Sequence, residues 1–213
     1  YTLDGDTEGE IQYENFNAAR AVVEFTGVNV HPGSSKNTMV NAALVAIEFN
    51  SMLPSADTPR DTEEYEGFFH LDAMNGNVST AMLDYIIRDH DVASFDCRLK
   101  TMEHIAKILN EKWGEGTVKL TITEQYRNMK EIIDTCMELI DCATAACKEC
   151  GTPALITPIR GGTDGARLSF MGVPCPNLGT GGHAFHGPYE HITVEGMDIA
   201  VEVGLKIIEL FYK

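Results

Sequence analysis

The sequence predicts an α/β protein in which a βαββαβ sandwich, residues 18–125, is inserted into a second, partial α/β domain formed by residues 1–17 and 126–213. Within the sandwich, apolar residues recur first with a period of two and then with a period of about 3.6, as strands and helices require. Beyond residue 126 the pattern changes to helices joined to short apolar strands, which is typical of α/β units.

The first half of the sandwich is a strand followed by a helix. The strand is predicted within residues 19–30, because apolar and polar residues alternate there. After His31-Pro32-Gly33 the spacing becomes helical, which predicts a helix from about residue 37 to residue 52. The apolar positions are Ala21, Val23 and Phe25 in the strand, and Val40, Ala43, Leu44 and Ile47 in the helix.

The second half is a hairpin, a helix and a last strand. Asn75-Gly76 is a strong hairpin signal, because both residues tolerate positive φ. The resulting order predicts a ferredoxin-like sandwich, two helices packed on a four-stranded antiparallel sheet. The predicted elements are strands over residues 67–74, 78–88 and 118–123, and a helix that follows Asp91 and ends at Gly114.

The flanking domain is predicted to be doubly wound but incomplete. Pro174 and Pro176 indicate an edge or irregular strand over residues 173–178, because proline cannot donate to a central ladder. The domain supplies too few strands to be covered on both faces, so we expect further strands upstream or on another chain. Its other predicted elements are a helix with Ile132, Cys136, Leu139 and Ala143 on one stripe, a strand at 154–156, a helix at 164–170, and a last helix capped by Thr193 with Met197, Val201, Leu205 and Ile208 facing inward.

The composition excludes several classes of partner. The chain has 32 acidic and 16 basic residues, a net charge of −16, which repels phosphate backbones and anionic membranes. We therefore expect neither a nucleic-acid nor a membrane partner. No signal peptide or apolar run of about 20 residues is present. The absence of an initiator methionine suggests a processed or truncated chain.

The six cysteines indicate reduced thiols in a cytoplasmic protein. Four of them crowd one predicted helix, whereas a disulfide framework would be spread over the loops of a small secreted domain. Cys147 and Cys150 form a lone CxxC without a second pair. Helix packing is favoured for them over metal binding or redox chemistry.

The segment from Pro158 to Glu190 has the composition of a functional site. Its paired glycines let a backbone approach a ligand, and four side chains supply charge, hydrogen bonds and metal-ligand capacity. Turns and solvated loop histidines would give the same pattern, so a role in chemistry stays open at this point. The four side chains are Arg160, Asp164, His183 and His186.

Longer motifs carry a resemblance to a known family. IRGGTDGARLSFMGVPCPNLGTGG followed by FHG, YTLDGDTEGEIQYENFNAA, VNVHPGSSKNTMVNA, EGFFHLDAMNGNV and YIIRDHD all resemble the dizinc aminopeptidase, carboxypeptidase and aminoacylase family, in particular its tripeptide aminopeptidases. The resemblance covers nearly the whole chain. It corresponds to the second half of such an enzyme, since the family's HxD zinc motif, bridging aspartate and Glu-Glu pair do not occur in matching contexts here.

The resemblance implies roles for five residues. Asp4 and His186 would each ligate a different zinc ion of the complete site, and His183 ranks below them. His31 would be the lid histidine that hydrogen-bonds the scissile carbonyl. Arg88 and Arg160 would bind the carboxylate of a short peptide, although either could instead pair with a nearby acid. Asn75 is better explained as a turn residue.

The leading hypothesis is the C-terminal half of a cytoplasmic tripeptide aminopeptidase that uses two zinc ions to release the N-terminal residue. We expect the chain alone to be inactive, because the general base and the remaining ligands would lie in the N-terminal half. Another peptidase or deacylase of the family is one alternative. A ligand-binding or dimerisation module without catalysis is the other, and a homodimer is compatible with both.

Overall fold

The computed structural model describes residues 1–212 and divides into two compact units: an inserted unit, Asn17–Gln125, and a flanking unit, formed by Tyr1–Phe16 with the chain from Tyr126 onward. A 3-10 turn covers Pro32–Ser34. In chain order the elements are β1 (Thr2–Gly5), β2 (Glu10–Gln12), β3 (Asn17–Thr26), α1 (Ala42–Ser51), β4 (Phe68–Gly76), β5 (Thr80–Asp89), α2 (Val92–Trp113), β6 (Val118–Tyr126), α3 (Lys130–Ile133), α4 (Glu138–Glu149), β7 (Leu155–Ile156), α5 (Asp164–Phe170), β8 (Asn177–Gly179), β9 (Gly182–His183), β10 (His191–Ile192) and α6 (Val194–Tyr212).

The inserted unit confirms the predicted ferredoxin-like sandwich. Its sheet has the strand order β4-β5-β3-β6, and β5 pairs antiparallel with both β3 and β4. Alternate residues of β3 point into the core, as the period of two predicts. There Phe25 packs edge-on against Phe49 of α1, with ring centroids 5.9 Å apart, and Phe49 contacts Tyr85 of β5.

Helix α2 begins and ends at the predicted residues. The Asp91 carboxylate accepts the Ser94 N–H at 2.7 Å, which caps the helix and lowers the pKa of Asp91. Gly114 ends the helix with a φ of 111°, a conformation that L side chains rarely adopt.

Helix α1 begins five residues later than predicted. Val40 exchanges backbone hydrogen bonds with Val28, at 2.8 and 3.1 Å, so this stretch is extended. The Asn41 side chain then accepts the Ala43 N–H at 3.1 Å and starts the helix at Ala42. The predicted start at residue 37 was wrong because a tertiary bridge holds the preceding chain.

The hairpin turn lies just beyond the Asn75-Gly76 signal. Both residues belong to β4, where Asn75 pairs with Met82 and Gly76 pairs with Ala81. The turn instead uses Asn77, whose side-chain oxygen accepts the Ser79 N–H at 2.8 Å and the Thr80 N–H at 3.1 Å. The predicted turn position was therefore wrong by about two residues.

The flanking unit has a four-stranded sheet with the order β1-β8-β2-β7. Strands β1 and β8 are parallel, as are β2 and β7, whereas β2 and β8 are antiparallel. The edge position predicted for the strand near Pro174 and Pro176 was wrong, since β8 lies between β1 and β2. Both prolines precede the strand, and Pro176 contributes only its carbonyl, which accepts the Thr2 N–H at 3.0 Å.

Two helices of the flanking unit differ from the prediction. The single helix expected up to Gly151 is broken into α3 and α4, and the Thr135 hydroxyl donates to the Ile132 carbonyl at 2.7 Å within the break. Thr193 caps α6 as predicted, by accepting the Gly196 N–H at 2.9 Å. The inward face of α6 was predicted wrongly: Val203 and Ile207 are buried, with Ile199 and Leu210 packed beside them, whereas Met197, Val201, Leu205 and Ile208 are exposed.

Candidate functional site

The candidate site lies at the carboxyl end of β1 and β8. Asp4 is exposed on β1, next to the register shift between Leu3 and Gly5, in the pair with β8. The Thr180 hydroxyl donates to the Gly5 carbonyl at 2.8 Å, and Gly181 N–H donates to the Asp6 carbonyl at 2.8 Å. The strand that carries Asp4 and the glycine-rich segment after β8 therefore meet at one edge of the sheet, where α/β folds place their sites.

A buried polar chain supports this edge. Glu10 of β2 accepts the Asp6 N–H at 2.8 Å and a Gln12 side-chain N–H at 3.3 Å. Gln12 in turn accepts from the Asn177 side chain at 2.6 Å, and Asn177 accepts the Thr2 hydroxyl at 3.0 Å. Burial raises the pKa of Glu10, a shift that the hydrogen bond from Asp6 opposes. None of these polar side chains was predicted to support the site, although Glu10 and Gln12 at a spacing of two share one face of a strand.

His186 lies on the loop that joins β9 to β10. Its backbone is left-handed, with a φ of 61°, and its N–H donates to the Glu190 carboxylate at 2.7 Å. The imidazole is exposed. The Glu190 carboxylate thus stabilises the conformation of this loop, a role that the sequence did not indicate.

His183 pairs with His191 across β9 and β10, and the two ring centroids lie 5.2 Å apart. An open pocket of about 280 Å³ is lined by His183, Asp6, Thr7 and three neighbouring residues. His183 therefore lies beside the end of β1 that carries the candidate site, and its lower rank as a ligand stays a prediction.

The donor atoms within residues 1–212 do not complete a metal site. That part of the chain contains no group of three or more His, Cys, Asp or Glu residues placed to hold a metal ion. Asp4 and His186 are the right residue types for zinc and belong to the same unit. They can supply single ligands, but a structural or catalytic zinc ion needs three or four.

His31 has a defined ring tautomer in the inserted unit. Its Nδ1 accepts the Gly33 N–H at 3.1 Å, so the proton of the neutral ring must lie on Nε2. The side chain is exposed at the start of the 3-10 turn. The ring is therefore set to donate a hydrogen bond from Nε2.

The two arginines have different surroundings. Arg88 of β5 donates to the Ile87 carbonyl at 2.9 Å, the Ala19 carbonyl at 3.3 Å and the Gln125 side chain at 3.1 Å. These contacts tie Arg88 to its own sheet. Arg160, in the flanking unit, is exposed, and its guanidinium lies 5.2 Å from the centroid of the Phe16 ring.

Asn75 lies within strand β4, so its predicted turn role was wrong.

In residues 1–212, no helix combines the length and the apolar character needed to cross a membrane.

Comparison with known proteins gives the class of the inserted unit. Residues 13–117 match the M20 peptidase dimerisation domain. Among solved structures, the aminopeptidase PepT of Bacillus cereus superposes with a TM-score of 0.84 at 20% identity, covering 99% of this chain and 56% of that one. A tripeptidase of Staphylococcus aureus gives a TM-score of 0.83 at 18% identity, covering 97% and 55%. The inserted unit thus matches a peptidase dimerisation domain.

The whole chain is similar to one group of these peptidases. It is 54% identical to peptidase T of Clostridium perfringens over 211 residues, which is 99% of this chain and 52% of the relative. The Bacillus subtilis YXEP protein, described as a dinuclear metal-binding M20 peptidase, shares the fold at a TM-score of 0.68 and 13% identity, covering 97% of this chain and 54% of that one. The chain is therefore similar to peptidase T over almost its entire length, and it spans about half the length of these relatives.

Proposed function

We propose that this chain is part of a dizinc tripeptide aminopeptidase, which hydrolyses the first peptide bond of a tripeptide and releases the N-terminal residue. The observation that carries this proposal is the similarity to peptidase T along almost the entire chain. The exposed carboxylate at the end of β1 and the exposed imidazole on the loop after β9 support it, because both are zinc-ligand types within one unit.

Asp4 and His186 would each ligate one of two zinc ions. The remaining ligands and the general base would come from polypeptide outside this chain, since residues 1–212 hold no group of three metal-ligating residues. The two ions, when bound, supply an activated water and stabilise the charge that develops on the scissile carbonyl oxygen. This division predicts that the chain alone is inactive.

His31, Arg88 and Arg160 would act on the substrate. The tautomer set by Gly33 lets His31 donate from Nε2 to the scissile carbonyl oxygen, and loss of such a donor costs about 3 kcal/mol in activation free energy. The stacking of Arg160 on Phe16 orients a planar fork that suits a peptide carboxylate. Arg88 would be the second carboxylate ligand, with part of its guanidinium held by Gln125.

The exposed stripe of α6 would contact the rest of the enzyme. Val201, Leu205 and Ile208 are 60%, 58% and 67% exposed on one helix face. A continuous apolar face of this kind marks a surface that another element covers. We assign that role to the remaining polypeptide of the peptidase T relatives, of which this chain spans about half.

A second candidate function is dimerisation through the inserted unit. The match to a peptidase dimerisation domain favours it. Strands β4 and β6 are the outermost strands of the sheet, and unpaired strand edges are templates for pairing with a second copy. In this alternative, the protein would be a homodimer that binds ligands and has no catalytic activity.

The six cysteines support a cytoplasmic location. All six are free within the described residues. Unpaired thiols in this number are typical of a reducing compartment.

The test compares this chain with the same chain preceded by the N-terminal half of a peptidase T relative. Zinc content and tripeptide hydrolysis are measured for both, together with the sedimentation of each. We expect two zinc ions and activity only in the longer protein. Activity of the short chain would refute the assigned division of ligands, whereas inactivity of both with a stable dimer would favour the dimerisation module.

A further inference from the structure

A pair of histidines stands apart from the residues assigned above. Strands β9 and β10 contain two residues each, and His183 lies directly opposite His191. Side chains at directly opposite positions project from the same face of a sheet. Their ring centroids are 5.2 Å apart and their planes are inclined by 34°. Two imidazoles are therefore held side by side on a very short ladder.

The backbone fixes which nitrogen of His191 is available. Its Nδ1 lies 2.8 Å from the Tyr189 carbonyl oxygen. A carbonyl can only accept, so Nδ1 carries the proton and the Nε2 lone pair of the neutral ring is unused. Histidines that ligate metals typically donate their other N–H to such an acceptor, which orients the ring.

His183 adds a second nitrogen beside an open space. Within residues 1–212, its ring takes part in no hydrogen bond or ion pair, and it lines the pocket of about 280 Å³. The pocket is large enough for several water molecules. Solvent can therefore fill the coordination positions that two protein ligands leave open.

We propose that His183 and His191 together chelate one divalent transition-metal ion, with water completing its coordination. Imidazole nitrogen suits Zn²⁺, Ni²⁺ and Cu²⁺, and disfavours Mg²⁺ and Ca²⁺. The site uses neither Asp4 nor His186, so it does not depend on the proposed function. The bound ion joins the two ends of the loop over residues 184–190 and thereby stabilises the segment that carries His186.

The first experiment titrates Ni²⁺ into chelator-treated chain by calorimetry. We expect one ion per chain. The affinity should fall at least about tenfold in H183A and in H191A, because even mutation of a residue that only hydrogen-bonds a metal ligand lowers metal affinity by about that factor. The double variant H183A/H191A should lose less affinity than the sum of the two single losses, because either change already destroys the two-ligand chelate. H104A, which removes an exposed histidine of α2, is the matched control and should bind as the parent does.

Three results would overturn the proposal. Equal Ni²⁺ binding in the parent and in both single variants would mean adventitious binding elsewhere. Losses that add in the double variant would mean two independent imidazoles. Loss of the same binding event in H186A would assign the ion to the site predicted at Asp4 and His186.

A second readout reports on the loop itself. Phe185 and Tyr189 are 41% and 82% exposed within it and are cleavage sites for chymotrypsin. Ni²⁺ should slow cleavage at both residues in the parent, but not in H191A. Equal cleavage with and without Ni²⁺ in the parent would refute the stabilisation of the loop, whether or not the ion binds.

Discussion

The inserted unit and the flanking unit differ in how much of their apolar surface each covers by itself. The inserted unit has four strands of 9 or 10 residues, and both of its helices pack on their sheet around one core. The flanking unit has sheet strands of two to four residues and leaves one face of α6 exposed. The inserted unit therefore covers one face of its sheet with its own helices, whereas the flanking unit leaves apolar side chains of α6 exposed.

The largest expected effect is in the core of the inserted unit. Phe49→Ala removes a fully buried ring that contacts Phe25 and Tyr85, and should lower the free energy of unfolding by about 3–5 kcal/mol. Leu44→Ala on the same helix, 61% exposed, should change it by less than about 0.5 kcal/mol. Urea unfolding measures both. Similar losses in the two variants would contradict the idea that α1 is anchored by one face.

The next effect concerns the buried polar chain of the flanking unit. Glu10→Ala leaves the Asp6 N–H without its acceptor, which should cost about 1–3 kcal/mol. Hydrogen exchange at the Asp6 amide should accelerate in this variant more than at amides of the inserted unit. If hydrogen exchange accelerated equally in both units, the hydrogen bonds of Glu10 would not stabilise the flanking unit locally.

The pH dependence of the two units should have opposite signs. Burial raises the pKa of Glu10, so its contribution to stability is present below its unfolded pKa and is lost as the pH rises through the folded pKa. The hydrogen bonds from Arg20 lower the pKa of Asp84, so that contribution is present above the unfolded pKa and is lost as the pH falls through the folded pKa. Thermal unfolding of Glu10→Gln and Asp84→Asn between about pH 3 and pH 7 measures the pH-dependent contribution of each carboxyl group to stability. Equal signs would contradict the assignment.

A smaller effect is expected at the start of α2. Asp91→Ala removes the cap on the Ser94 N–H and should cost about 1 kcal/mol. Glu103→Ala, in the exposed interior of the same helix, is the matched control and should be nearly neutral. Chemical denaturation with both variants isolates the cap from the general loss of a carboxylate.

The smallest effect on stability is expected on the exposed stripe of α6. Leu205→Ser should change the free energy of unfolding of this chain by less than about 0.5 kcal/mol, because the side chain is 58% exposed. It should reduce self-association in sedimentation experiments, since an apolar patch is lost. Val203→Ser, at a 5% exposed position, should instead destabilise by about 1.5 kcal/mol or more. Equal losses would mean that this face of α6 is already covered.

Periodicity, capping residues and motifs by themselves determined the βαββαβ order, the start of α2 at Asp91, the cap at Thr193 and the resemblance to the dizinc peptidase family. These features are local, because alternation, a capping carboxylate and a short motif each act within a few residues. The roles of Asp4, His31, Arg88, Arg160 and His186 stay predictions that follow from that resemblance.

Only the tertiary structure decided which distant residues each helix and strand contacts. The backbone bridge between Val28 and Val40 moved the start of α1 to a later residue than predicted. Strand β8 lies between β1 and β2, although prolines precede it. α6 carries apolar residues on more than one face, so its periodicity could not tell Val203 from Leu205. The pairing of His183 with His191 and the chain from Thr2 to Glu10 likewise depend on the neighbouring strand. Such contacts join residues that are distant in sequence, and a local pattern contains no information about them.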